Sequence, residues 1–204
     1  FAAAANEVTG KIDKQYSGVR DYLYLKKEND RLQQENAKLL NMLKADYQSP
    51  DSSITTFIDT TIKDTSNRFR KYTYLPAKVV GNTISSQTNF MMLERGALQG
   101  VRKGMSVVCP QGIVGNVVEV SNNYCKVMSV LHRNSTVSAM LKKNNSMGEI
   151  VWDGVDPRFL YMQKVSKSTE ASIVVGDTVL TSTYSSNYPS MVMIGTVVDK
   201  KADA

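Results

Sequence analysis

Leucine recurs every seven residues at Leu25, Leu32 and Leu39, and Tyr22, Asn29 and Asn36 each stand three residues before one of them, with Leu43 four after the last. Placing the leucines at heptad position d puts Tyr22, Asn29, Asn36 and Leu43 at a. Leucine at d with asparagine at a suits a parallel dimeric coiled coil, because a buried Asn finds its amide partner only at matching register. The surrounding stretch, residues 7–48, has no proline and reads as one helix. Asp21, Glu28 and Glu35 then lie at g and Lys26, Gln33 and Leu40 at e, giving one attractive interchain pair, Asp21 with Lys26, and no like-charge clash. The competing reading is a single amphipathic helix docked on its own β domain.

Ser49-Pro50-Asp51 ends this pattern, and residues 49–71, rich in Thr, Ser and Asp, read as a linker with one or two short turns. From Tyr72 the period shortens to two. Runs of Val, Ile, Thr, Tyr and Met broken by Gly, Asn and Ser predict strands over 73–80, 88–94, 105–110, 113–120, 124–131, 136–141, 147–152, 158–164, 177–183 and 193–199. Gly104–Val108 followed by Gly115–Glu119 is echoed by Gly176–Leu180 followed by Gly195–Asp199. The echo reads as two related halves of one barrel. The expected fold is therefore α plus all-β: a coiled-coil helix (1–48), a linker (49–71), and two small six-stranded-type barrels. The first barrel takes residues 72–120 plus 172–200, and the second takes 121–171.

Composition narrows the function. The formal charge is +6 in 204 residues, but no block of like charge occurs, so nucleic acid is not an expected partner. Two cysteines, Cys109 and Cys125, make neither a disulfide framework nor a metal site; free thiols are favoured, with a single bridge as the alternative. No run of 18 apolar residues is present. The sole histidine, His132, sits in a turn-like Leu-His-Arg-Asn-Ser stretch and reads as a surface residue. A Ser182, His132 and Asp153 triad can be nominated without any local signature to support it. Gly96 and Gly100 lack the Gly-Lys-Ser/Thr of a phosphate loop. No cofactor or metal is expected. Trp152 reads as packing over a barrel mouth. Tyr184 and Tyr188, in a Ser/Asn-rich loop, are candidate partner-binding anchors or a lid folded back on the domain. With Trp152 they could alternatively form a glycan-binding face.

In collinear order, several segments resemble the rod-shape-determining MreC family. They are Leu75–Val80, Leu93–Gly96, Gly100–Val108, Gly112–Val118, Asn134–Ala139, Gly148–Gly154, Gly176–Ser182, Tyr188-Pro189 and Ile194–Val197. Thr183 and Met191 depart from it, standing where the family commonly has glycine. The resemblance implies a non-enzymatic scaffold of the bacterial elongasome, anchored in the inner membrane by a helix preceding Phe1, with a periplasmic coiled coil and two β-barrels. It implies binding and activation of a class B penicillin-binding transpeptidase, MreD, RodA and MreB as further partners, and filaments through the β domains. It also implies a likeness of the barrels to trypsin-like halves, so a trypsin-fold hydrolase and a peptidoglycan-binding module stand as the alternatives. A helix of about 40 residues would place the heads on the order of 60 Å from the membrane.

Overall fold

Alternating apolar side chains fold into ladders only when one face is buried, and the burial pattern shows where that happens in a computed structural model of the chain. Residues 23–42, 47–48, 59–63, 69–70, 72–170 and 172–200 are described. They fall into two units that divide after Pro76. In the first, α1 covers 23–41, within the predicted helix. β1 (Tyr47–Gln48), at the end of the stretch read as helix, and β2 (Asp59–Lys63) and β3 (Phe69–Arg70), in the stretch read as linker, form an antiparallel sheet ordered β1-β3-β2.

The second unit contains β4 (Val79–Asn82), β5 (Thr88–Leu93), β6 (Ser106–Cys109), β7 (Gly112–Val120), β8 (Cys125–His132), β9 (Thr136–Leu141), β10 (Met147–Val151), β11 (Tyr161–Gln163), α2 (Lys167–Glu170), β12 (Thr178–Thr181) and β13 (Met193–Thr196). Every predicted strand overlaps an observed one; most are shorter, β7 and β8 reach one residue past a predicted end, and β4 is shifted to 79–82 from the expected 73–80. The strands build two curled antiparallel half-barrels of five strands, ordered β4-β5-β8-β7-β6 and β11-β10-β9-β12-β13.

That order corrects the expected division of the chain. Residues 125–132 pair with β5 and β7, so the first half-barrel runs from 79 to 132. The carboxy-terminal strands β12 and β13 extend β9 instead of returning to it. The glycine echo is real but means something else. Its two copies are the pairs β6–β7 and β12–β13, each at one edge of a separate sheet, with β6 outermost in the first and β13 in the second. Each sheet has five strands, not six.

Each half-barrel has its own core because inward side chains recur at every second residue. In β9, Val137, Ala139 and Leu141 are all buried and meet Ile150 and Val179. In the first sheet Leu93, Val117, Cys125 and Val127 do the same. Ile113 and Val130 of the first sheet also pack against the core of the second. The glycines that resembled a phosphate loop serve packing. A Cβ on Gly96 would stand 2.3 Å from the Ser121 carbonyl, and Gly100, at φ 85°, closes the 3-10 turn Ala97–Gln99.

Gly115 shows how tightly the first ladder is set. A Cβ there would lie 2.2 Å from the Met128 carbonyl oxygen and 2.9 Å from Val127 Cγ1, whereas Gly195 has nothing within 4 Å. Gly115→Ala should therefore lower unfolding free energy by about 2–3 kcal/mol through overpacking. Gly195→Ala should stay within about 0.5 kcal/mol. Chemical denaturation of the two variants checks the contrast.

Candidate functional site

Two surfaces carry the residues singled out by sequence, one on α1 and one on the loop after β12. On α1 the d-position leucines are all uncovered in the single chain: Leu25 is 63%, Leu32 45% and Leu39 56% exposed. The a-position residues Asn29 and Asn36 are exposed beside them, and Gln33 Nε2 donates to Asn29 Oδ1 at 3.0 Å. Tyr22 and Leu43, the outer members of the seam, lie outside the described residues.

The opposite face of the helix is occupied by the chain's own backbone. Asn41 Nδ2 donates to the Tyr74 carbonyl at 3.0 Å, and Asn41 Oδ1 accepts from the Tyr74 N–H at 2.7 Å. This two-point amide clamp satisfies the backbone of Tyr74 as a neighbouring strand would. Tyr74 and Pro76 share a cleft with Gln34, Ala37, Lys38 and Asn41, at heptad positions b, c or f, and with Met42 at g. The clamp was not legible in the sequence, where Asn41 is one polar residue among many. Its consequence is that the intrachain contact uses the polar side of α1 and leaves the leucine side free.

Charge on the flank of the seam is settled within the helix. Arg31 bonds Glu28 through Nε (3.0 Å) and Nη2 (2.6 Å) and reaches Glu35 through Nη1 at 3.0 Å. The hydrogen bond from Arg31 holds the Glu28 carboxyl below its ordinary range, and Arg31 is raised in turn by Glu28. These groups are fully solvated, so the network orients side chains more than it stabilises them.

The second surface is the loop 182–191. Thr181, fully buried, holds its base: Oγ1 donates to the Pro189 carbonyl at 2.6 Å and accepts from the Val192 N–H at 2.9 Å. Ser182 Oγ accepts from the Tyr184 N–H at 3.0 Å, and Ser185 Oγ accepts from the Tyr188 N–H at 3.1 Å. These short bonds turn the loop so that the two tyrosines part. Tyr184 is 82% exposed. Tyr188 is buried among Val137, Leu141 and Ile150, and burial pushes its phenol well above the ordinary value.

Tyr188 is therefore a core residue and not an anchor: for it the fold-back alternative holds, and of the two anchor candidates only Tyr184 is exposed. The glycan-binding face dissolves with it, because Trp152 is also buried and its indole N–H donates to the Asp156 carbonyl at 2.9 Å.

The nominated triad is not assembled. His132 ends β8 with its ring edge-on to Phe90 at 5.0 Å, and its Nδ1 accepts from the Asn134 N–H at 3.0 Å. It is buried, not a surface residue, and burial lowers its pKa. Ser182 Oγ faces Met147 Sδ at 3.2 Å. The Asp153 carboxylate accepts from the Val155 N–H and from Tyr161, whose phenol it raises. Each of the three spends its hydrogen bonds elsewhere.

Both cysteines are free, Cys109 exposed and Cys125 buried, with β7 lying between their strands; burial raises the Cys125 thiol. Among the described residues no three His, Cys, Asp or Glu side chains converge as metal ligands, and no helix is long and apolar enough to cross a membrane.

Sequence reasoning also missed Asn89, fully buried in β5, whose amide accepts from the Ser86 N–H and donates to the Leu131 carbonyl at 2.7 Å. An Asn inside a strand pattern gives no signal that it pins two backbone segments.

The family described as Rod shape-determining protein MreC, barrel core, matches residues 79–204. A curated cell shape-determining protein MreC of Caulobacter vibrioides is 25% identical over 190 residues, 88% of this chain and 50% of that protein. Its counterpart in Listeria monocytogenes is 23% identical over 96% of this chain and 64% of that protein. The chain thus spans between half and two-thirds of the length of these relatives. The solved Listeria structure superposes with a TM-score of 0.57 at 23% identity, covering 88% of this chain and 77% of that one. A Helicobacter pylori structure described as a complex between penicillin-binding protein PBP2 and MreC gives 0.50 at 20% identity, over 62% and 78% of the two chains. These likenesses establish a shared fold.

The loop holds one strained residue. Met191 has φ 68°, the left-handed region that glycine enters freely and other residues enter at a cost. The resemblance drawn from the sequence implies glycine at this position. Met191→Gly should raise unfolding free energy by about 0.5–1 kcal/mol, the relieved strain exceeding the added unfolded-state entropy. Thermal denaturation checks it.

Proposed function

The chain belongs to the MreC family of rod shape-determining proteins, and from that premise we propose that it is a non-enzymatic scaffold of wall elongation. It pairs with a second copy through α1 and presents its β half-barrels to a class B penicillin-binding transpeptidase, which it activates. The observation that carries the reading is the sidedness of α1. The leucine seam is open to a partner while the clamp between Asn41 and Tyr74 sits on the other side. The complex of a Helicobacter relative with PBP2 supports the choice of partner. A setting at the periplasmic face of the inner membrane, with MreD, RodA and MreB as further partners and filaments through the β domains, follows from the same family reading.

Two heads on one stalk raise the effective concentration of the second contact once the first is made, for any partner able to touch both. Scaffolding then needs no reactive side chain. What it needs is a defined spacing and a few exposed anchors on a rigid base. Tyr184 fits the second need, since its loop is stitched by Thr181, Ser182 and Ser185 while its ring remains in water.

Leu32→Asp combined with Leu39→Asp should convert a dimer to a monomer in sedimentation equilibrium while the thermal unfolding of the β heads is retained. A mass unchanged by the double substitution would overturn pairing through α1.

Tyr184→Ala should weaken binding to a transpeptidase ectodomain by about tenfold, the scale of an exposed aromatic hot spot, without changing stability. Tyr188→Ala should instead destabilise the domain by about 3 kcal/mol. Titration calorimetry and denaturation together separate the two tyrosines.

A further inference from the structure

A thioether is a weak hydrogen-bond acceptor, and mild oxidants convert it into a polar sulfoxide. Met105 and Met147 both use their sulfur as an acceptor, in different surroundings. Met105 Sδ accepts from the Arg102 N–H at 3.3 Å, in an exposed turn where water can take its place. Met147, which opens β10, accepts at Sδ from Ser182 Oγ at 3.2 Å. Met147 is 38% exposed and Ser182 only 1%. A dissolved oxidant therefore reaches the methionine, while water does not reach the hydroxyl bonded to it.

Ser182 is held from several sides. Its N–H donates to the Ser138 carbonyl at 2.9 Å, and its own carbonyl accepts from the Ser185 N–H at 3.1 Å. Its Oγ accepts from the Tyr184 N–H at 3.0 Å. The hydroxyl is thus the middle of a relay, donating to sulfur and accepting from the amide of the exposed tyrosine. A hydroxyl that donates is the better acceptor, because each bond polarises the other.

We propose that Met147 is a reversible oxidation site whose state sets the hold on the Tyr184 loop. With hydrogen peroxide the thioether loses two electrons: the O–O bond breaks, one oxygen forms the S–O bond, and the other leaves as water. A dithiol reverses the step, closing to a disulfide while the oxygen departs as water. The added oxygen forms on the side open to solvent, becomes the acceptor, and draws electron density from the sulfur. Ser182, pinned through its backbone, does not follow it, and its buried hydroxyl is left without a partner. The bond that it accepts from Tyr184 then weakens, and the base of the loop loosens. An effect on binding through Tyr184 rests on the anchor role proposed above; the loosening itself does not.

The test is residue-resolved amide hydrogen exchange by NMR on the 204-residue chain, before and after hydrogen peroxide, with peptide mass spectrometry locating the added oxygen. Oxidation of Met147 should speed exchange of the Tyr184 amide about fivefold. Methionine sulfoxide reductase with dithiothreitol should restore the original rate. Met147→Leu keeps the apolar volume without the sulfur, so peroxide should leave its Tyr184 exchange unchanged while Met105 is still oxidised. Met147→Gln, which carries a polar oxygen in place of the thioether, should approach the oxidised rate with no peroxide added. Melting curves verify the fold of each variant. A Met147 that stays reduced while Met105 is oxidised, a Tyr184 exchange rate unmoved by its oxidation, or a response that persists in Met147→Leu each overturns the proposal. Exchange reads the loop and calorimetry with the transpeptidase reads the contact, so failure of one is distinguishable from failure of the other.

Discussion

The head depends on the close approach of β7 to β13, the place where its two sheets meet. Gly112 opens β7 at φ 146°, and a Cβ there would fall 2.3 Å from the Met193 carbonyl oxygen. The absence of a side chain at this one position lets the edge of the second half-barrel lie against the start of β7. From the same approach Ile113 reaches the second core, joined by Val130 from the neighbouring strand β8. Five-stranded sheets have small interiors, and neither would bury much alone. Sharing residues across the junction lets two modest cores behave as one unit, and this rigid base gives the exposed turns and loops a fixed position.

The strands were legible because a buried ladder writes its period into the sequence. Val137, Ala139 and Leu141 recur at every second residue beside Thr136, Ser138 and a buried Met140, and β9 has the boundaries read from that run. Pairing across the chain is written far more weakly. The echo between the glycine-led segments identified two genuine antiparallel pairs, but local similarity holds no information about which third strand lies beside each pair. Assigning both to one barrel treated similarity as adjacency. The turn at Ser121–Tyr124, where Ser121 and Tyr124 bond each other across a short reversal, carries β7 directly into β8 and keeps those strands in the first sheet.

The surfaces were harder to read, and for a common reason. Tyr184 and Tyr188 share a loop of the same composition, yet one is solvated and the other is core. The difference comes from hydroxyl-to-backbone bonds by Thr181, Ser182 and Ser185, residues whose side chains bond locally in most loops and so look unremarkable in a sequence. His132 misled in the same way. Arg133, Asn134 and Ser135 suggested water, while the ring itself is buried at the end of β8 against Phe90. Met191 is the converse case: the resemblance implies a glycine there, and the left-handed backbone is the conformation a glycine would enter freely.

The stalk completes this picture of local bonds deciding which surfaces are left for partners. Arg31 engages both Glu28 and Glu35 within its own helix, so two of the g-position carboxylates are already paired before a partner arrives. Interchain charge then adds little, because forming a g–e pair would mean giving up an equivalent intrahelical one in the same solvent. In the proposed pairing, selectivity would be left to the leucines, which supply area, and to Asn29 and Asn36, which reward matching register. Asn29 is bonded to Gln33 through its carbonyl oxygen, and its amide hydrogens are the group that a facing asparagine can accept. A short seam of this kind holds register better than it holds affinity. A scaffold whose heads also engage partners gains the remaining affinity from being held at two points at once.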